Sequence, residues 1–144
     1  MGQAREVMDR LMTAMNVKDR EALAGCYAPD AVIQTPDQGE VSGRDAIANY
    51  FVHFWEAMPD VRYEQLAHHE AGNVVIVEGF VAGTNTGPLS LPTGGTLPAT
   101  GRQARVRSCD VAKVEAGLIS THHAYFDQLE LLGQLGLLPE LSKQ

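Results

Sequence analysis

Thiols are scarce: Cys26 and Cys109 are the only cysteines among 144 residues, too few for a disulfide framework. Positive charge is also short. The chain has 11 Lys and Arg against 18 Asp and Glu, a net charge of −7 and a pI near 5.1. No basic run occurs, which disfavours nucleic acid and anionic membrane as partners, because both need clustered Lys and Arg. The N-terminus has no apolar signal core, and with so few cysteines this predicts a cytoplasmic location. One stretch, residues 79–101, carries no charge, but its glycines, prolines and threonines make it a poor membrane helix. Neither CxxC nor HExxH is present, and the expectation is no metal and no cofactor.

What remains is an ordinary globular composition, 44% hydrophobic and 20% charged, at a length that suits one domain over residues 1–144. Val7, Met8, Leu11, Met12 and Met15 recur at helical spacing and predict an amphipathic helix of about four turns. Asp19 can cap a short second helix running through Cys26 and Tyr27. Residues 31–36 read as a short strand stopped by Pro36. Ser42, with Asp45 reaching back, can cap a third helix whose apolar face is Ala46, Ile47, Tyr50, Phe51, Phe54, Trp55 and Met58. Strands follow over 61–69 and 74–82, then a Gly/Pro/Thr loop over 87–101. Another strand at 102–115 turns at Ala116-Gly117 into 118–126. Asp127 then caps a last helix carrying Leu129, Leu132 and Leu135, stopped by Gly136 and Pro139. Helices first and antiparallel strands after predict an α+β fold, helices gathered on one side of a curved antiparallel sheet. Such a bent sheet encloses a conical cavity suited to a small ligand.

Three stretches carry a resemblance. "VKDREALAGCYAPDAVIQTP" (17–36) resembles the opening of the NTF2-like (cystatin-like) superfamily, and "SGRDAIANYFVHFWEAMPDV" (42–61) resembles the third-helix segment of its SnoaL-like polyketide cyclase branch. "PATGRQARVRSCDVAKVEAGLISTHHAYFDQLELLGQLGLLP" (98–139) resembles the final hairpin and tail of SnoaL-like ester cyclases. The family pattern near GTHTGP is present here as Gly83-Thr84-Asn85-Thr86-Gly87-Pro88. The resemblance implies a cone, a homodimer through the sheet, and an apolar, polyketide-like ligand. It also implies cofactor-free ring closure by intramolecular aldol chemistry, which needs a base for a carbon-bound proton and donors for the enolate oxygen.

The family's acid/base aspartate stands two residues after a histidine. Aligned on that motif, His122 matches the histidine, and Ala124 occupies the aspartate's place. Limonene-type epoxide hydrolases use the same aspartate. In ketosteroid isomerases the base aligns with Thr35, beside Gln34, and the second aspartate with Asp110. Strand alternation puts Ser108, Asp110 and Ala112 on one face, and His122, Ala124 and Phe126 on one face of the next strand. The resemblance places that second face on the cavity as well, so that Asp110 and His122 can meet there as a proton-shuttling pair. The structural alternative has Asp110 satisfied by Arg105 or Arg107.

Thr35, Tyr50 and Asn85 are candidate orienting donors, and Glu78 is a second candidate carboxylate because it interrupts the apolar run 74–82. Phe54 and Trp55 either stack on a ligand or simply cover the sheet. His123 and Tyr125 face the other way, towards helices or a partner. His68 and His69 face apart, as neighbours on a strand must. Three readings stay open: a proton-transfer enzyme, a binding module that lost its acid/base set, and a dimer used for assembly.

Overall fold

The computed structural model describes residues 2–90 and 94–138; Leu91 and Pro92 of the expected loop, and the helix stop expected at Pro139, lie outside them. Helix α1 (Gln3–Val17) buries Val7, Met8, Leu11, Met12 and Met15, the five positions read from spacing. Lys18 closes it in the left-handed conformation, φ 58°. Helix α2 (Arg20–Ala24) is capped as expected, with Asp19 accepting from the Ala22 N–H. It stops short of the expected end at Tyr27, because Tyr27 opens strand β1 (Tyr27–Thr35) with its ring fully buried. Pro29, which has no N–H to give, sits where the β1 register slips between Tyr27 and Val32.

A short strand that the sequence does not signal, β2 (Gly39–Ser42), pairs back on β1. It takes Ser42 away from the capping role. Gly43 fills that place at φ 93°, a conformation that suits glycine, and no side chain caps helix α3 (Arg44–Ala57). Ile47, Phe51 and Trp55 of α3 are buried, while Tyr50 and Phe54 are partly so. Strands β3 (Arg62–Ala71) and β4 (Val74–Thr84) form a hairpin through Gly72 at φ 62°. The loop that follows contains a two-stranded ribbon, β5 (Leu89–Ser90) and β6 (Thr96–Leu97). Strands β7 (Gln103–Glu115) and β8 (Leu118–Phe126) make the last hairpin, and α4 (Gln128–Gln134) is capped by Asp127. Leu131 and Leu135 are buried at this end of the chain, and the expected Leu129 is exposed.

The main sheet has six strands in the order β2-β1-β8-β7-β4-β3. It is mixed, which corrects the antiparallel expectation: β1 runs parallel to β8, with Ile33 beside His122. Most of the chain separates those two strands, so no tight turn imposes antiparallel pairing on them. An irregularity in β3 between Gln65 and Ala67 leaves Leu66 out of the ladder and helps the sheet to bend. Gly79 lies opposite, and a Cβ there would overlap the Glu64 carbonyl oxygen, so the strands can approach only without a side chain. Helices α1 and α3 pack against the sheet, and one core runs from Ala4 to Leu135.

Candidate active site

Asp110 sits on β7 directly across from Ala124 of β8, and Ala112 is across from His122. The diagonal brings the Asp110 Oδ1 and His122 Nε2 atoms to 2.7 Å. On the far side of the imidazole, Tyr27 Oη lies 2.8 Å from Nδ1. Both Tyr27 and His122 have no solvent exposure, whereas the Asp110 side chain retains 13%. Burial, with a smaller contribution from the Asp110 charge, holds the Tyr27 phenol well above its usual pKa, so it stays protonated. One arrangement satisfies all three groups: the Tyr27 O–H donates to Nδ1, and the Nε2–H donates to Asp110. Protonating Nδ1 instead would leave the buried Tyr27 hydroxyl proton without an acceptor.

Asp110 borders a narrow cavity of about 30 Å³, walled by Met15, Phe51, Phe54, Val81, Ala124 and Phe126, with Ser108, Tyr50, Tyr63 and Tyr125 completing it. Asp110 is the only carboxylate on that largely apolar wall, among the described residues. Phe54 and Phe126 stack at 6.4 Å between centroids and 19° between planes. Tyr50 faces two ways. It also borders an outer groove of about 470 Å³ between α3 and the β5–β6 ribbon, lined by Val41, Asn49, His53, Ser90 and Thr96. Its hydroxyl donates to Asp37 at 2.9 Å, and burial followed by the Asp37 charge raises its pKa well above normal.

Other candidates are placed elsewhere. Thr35 is buried, but its Oγ1 accepts the Gln38 N–H at 3.1 Å and shapes the β1–β2 turn. Trp55 is buried and does not border the cavity. Asn85 is wholly buried and pins the loop after β4: Nδ2 donates to the Ala57 and Gly87 carbonyls at 3.0 and 2.8 Å, and Oδ1 accepts the Thr100 N–H at 2.9 Å. Its hydrogen-bonding capacity is spent within the protein, and it does not border the cavity. Glu78 projects from the convex face and contacts His69 at 2.7 Å. It interrupts an apolar run because the opposite sides of β4 meet core and solvent. Arg105 pairs with Glu64 at 2.9 Å and lies over Phe80, on the face opposite Asp110, so the arginine alternative for Asp110 is not realised. His68 contacts Gln65 and Asp9, His69 contacts Glu78, and no group of three or more metal-ligating side chains occurs among the described residues.

Tyr27 and Tyr63 are among the residues that the sequence reading does not assign to the site. Tyr27 is hidden there because the helical pattern of residues 20–24 runs on through it. Tyr63 stands two residues after the buried Val61, and that spacing is a signal that can find it.

An α+β cone with a carboxylate in an apolar pocket defines the class of protein. The family model described as a SnoaL-like domain matches residues 8–122, and the chain belongs to that family. Solved structures agree in fold. A proposed SnoaL-like polyketide cyclase from Jannaschia sp. CCS1 superposes with a TM-score of 0.83 at 18% identity, covering 95% of this chain and 94% of that one. IdmH, a proposed polyketide cyclase from Streptomyces antibioticus, gives 0.77 at 24% identity over 94% and 99%. AclR, a proposed hydroxylase from Streptomyces galilaeus, gives 0.78 at 21% identity over 97% and 85%. No curated protein sequence matches the chain. Among the described residues, no helix is long and apolar enough to cross a membrane.

Proposed function

We propose that this SnoaL-like chain is a cofactor-independent proton-transfer enzyme, of cyclase or isomerase type, acting on an apolar, cyclic, polyketide-like molecule. The observation that supports this reading is the placement of Asp110: one side is held by a fully buried imidazole, and the other faces an apolar cavity. Asp110 accepts a proton from an activated C–H, and the electron pair stays on the substrate as an enolate. In a cyclisation, the enolate carbon forms a bond to a carbonyl of the same molecule. The resulting alkoxide takes the proton back from Asp110, so no other reactant is consumed. His122 has no exposed surface and acts through Asp110; it is a positioning residue.

Ligand pockets for drug-sized molecules measure about 300–1,000 Å³, so a cavity of 30 Å³ admits only the reacting end. Rotation of the Phe54 and Phe126 rings widens it, and the body of the ligand then extends towards the outer groove past Tyr50. The convex sheet face, where Val111 pairs with His123 and Tyr125 is 55% exposed, is the surface through which we propose a homodimer forms.

Turnover of polyketide esters, ketosteroids and epoxides by the wild type and Asp110→Asn tests the assignment, with binding followed by thermal shift. Turnover falling at least about a hundredfold in the variant, with fold and binding intact, is expected. A second reading is favoured by Ala124, whose methyl group stands where the resemblance implies the family's acid/base aspartate. Tight binding without turnover in either protein would make this chain a binding module.

A further inference from the structure

Two buried polar atoms on neighbouring side chains have no hydrogen-bond partner: the Tyr63 hydroxyl and the Trp55 indole Nε1. A buried group left unpaired costs about 1–3 kcal/mol, and native structures contain few of them. A phenylalanine in that place would fill the same space without the cost. Tyr63 also borders the cavity that Asp110 borders. Burial pushes its pKa above normal, the Trp55 indole acts in the lowering direction, and the Asp110 charge adds to the rise. The indole N–H can only donate. Its contact with Tyr63 can involve only the phenol oxygen, which leaves the hydroxyl proton free for an acceptor in the cavity.

A volume of 30 Å³ has room for about one small polar group. A carboxylate and a protonated phenol facing one such space are an acceptor and a donor set for two adjacent atoms. The Tyr50 hydroxyl nearby is already committed to Asp37. We propose that Tyr63 Oη holds the carbonyl oxygen of the ligand, with Asp110 facing the adjacent C–H, so that the site takes apolar carbonyl compounds with an acidic α-hydrogen. This deepens the proton-transfer reading and rests on it for the role of Asp110. As the C–H proton moves to Asp110, negative charge moves to the carbonyl oxygen. The Tyr63 hydrogen bond strengthens there, in surroundings of low dielectric. Trp55 stands behind Tyr63 as a positioning residue.

The probes are 2-tetralone, a compact ketone with activated α-hydrogens, and tetralin, its ketone-free counterpart. Binding is measured by calorimetry and α-hydrogen exchange by NMR in heavy water, for wild type, Tyr63→Phe and Asp110→Asn. The wild type should prefer the ketone over the hydrocarbon by about tenfold. Tyr63→Phe should lose that preference while keeping its affinity for tetralin. Asp110→Asn should keep the preference and lose exchange. Loss of the ketone preference in Tyr63→Phe with no exchange in any protein would sustain Tyr63 and overturn the proton-transfer reading. Equal affinities for the two probes in wild type, or an undiminished preference in Tyr63→Phe, would overturn the assignment. A second readout needs no variant: the C=O stretch of wild-type-bound 2-tetralone should lie below its position in cyclohexane, and an unshifted band would equally overturn it.

Discussion

The proton arrangement of the site depends on Tyr27, which does not border the cavity. Its hydroxyl, 2.8 Å from His122 Nδ1, fixes which imidazole nitrogen carries hydrogen and so keeps a donor aimed at Asp110. Tyr27→Phe should cost about 1–3 kcal/mol in urea unfolding, because the imidazole nitrogen is left buried without a partner. It should also abolish the single-tautomer pattern in the ¹⁵N spectrum of His122, which in wild type shows Nε2 protonated and Nδ1 bare. A wild-type spectrum with hydrogen on Nδ1 would contradict the arrangement. At this scale, strand alternation groups Asp110 with Ser108 and His122 with Ala124, and it is the family resemblance that puts both groups on the cavity side and makes their meeting legible. Tyr27 is not legible, because good helix formers precede it and nothing local announces a strand. Asn85 and Glu78 mislead for one reason: a polar residue in an apolar run looks functional until the partner backbone or the solvent side is seen.

Single elements carry their own accounts. Strand β4 ends where Asp60 accepts hydrogen bonds from the Thr84 N–H at 2.6 Å and the Thr84 hydroxyl at 2.8 Å. Those bonds, the backbone one first, hold its carboxyl below the ordinary 3.8. The folded state therefore favours the charged form. The resulting stability is fully present above the unfolded value of about 4 and is lost as pH falls through the lower folded value. Asp60→Ala should cost about 0.5–1 kcal/mol at pH 7, screened by solvent as it is, and the gap to wild type should close below about pH 3. A gap that stays constant through this acid range would contradict the account. Most elements are readable from periodicity: α1, β3, β4, β7, β8 and the Asp19 and Asp127 caps. The end of α2 and the direction of β1 are not, because both depend on β8, far away in sequence. Strand β2 is too short for any period to show.

For the whole molecule, the covered concave face and the open convex face are distinct surfaces. The proposed homodimer uses the second. Light scattering should find two copies in wild type and one in Val111→Glu, which places a charge on the convex side of β7; a monomeric wild type would remove the dimer. The α+β cone itself is legible because three helical patterns fall in the first 58 residues and the long strands β3, β4, β7 and β8 follow them. Its mixed sheet is not, since sequence order says nothing about which neighbour the first strand takes.

That arrangement has a bearing on how the chain is made. Strand β8 lies between β1 and β7, so the central gap of the sheet stays open until Phe126, the last residue of β8, has left the ribosome. Up to that moment two strand edges are bare and apolar, and each can recruit a neighbouring nascent chain. Truncations before β8 should therefore aggregate rather than yield a smaller soluble cone.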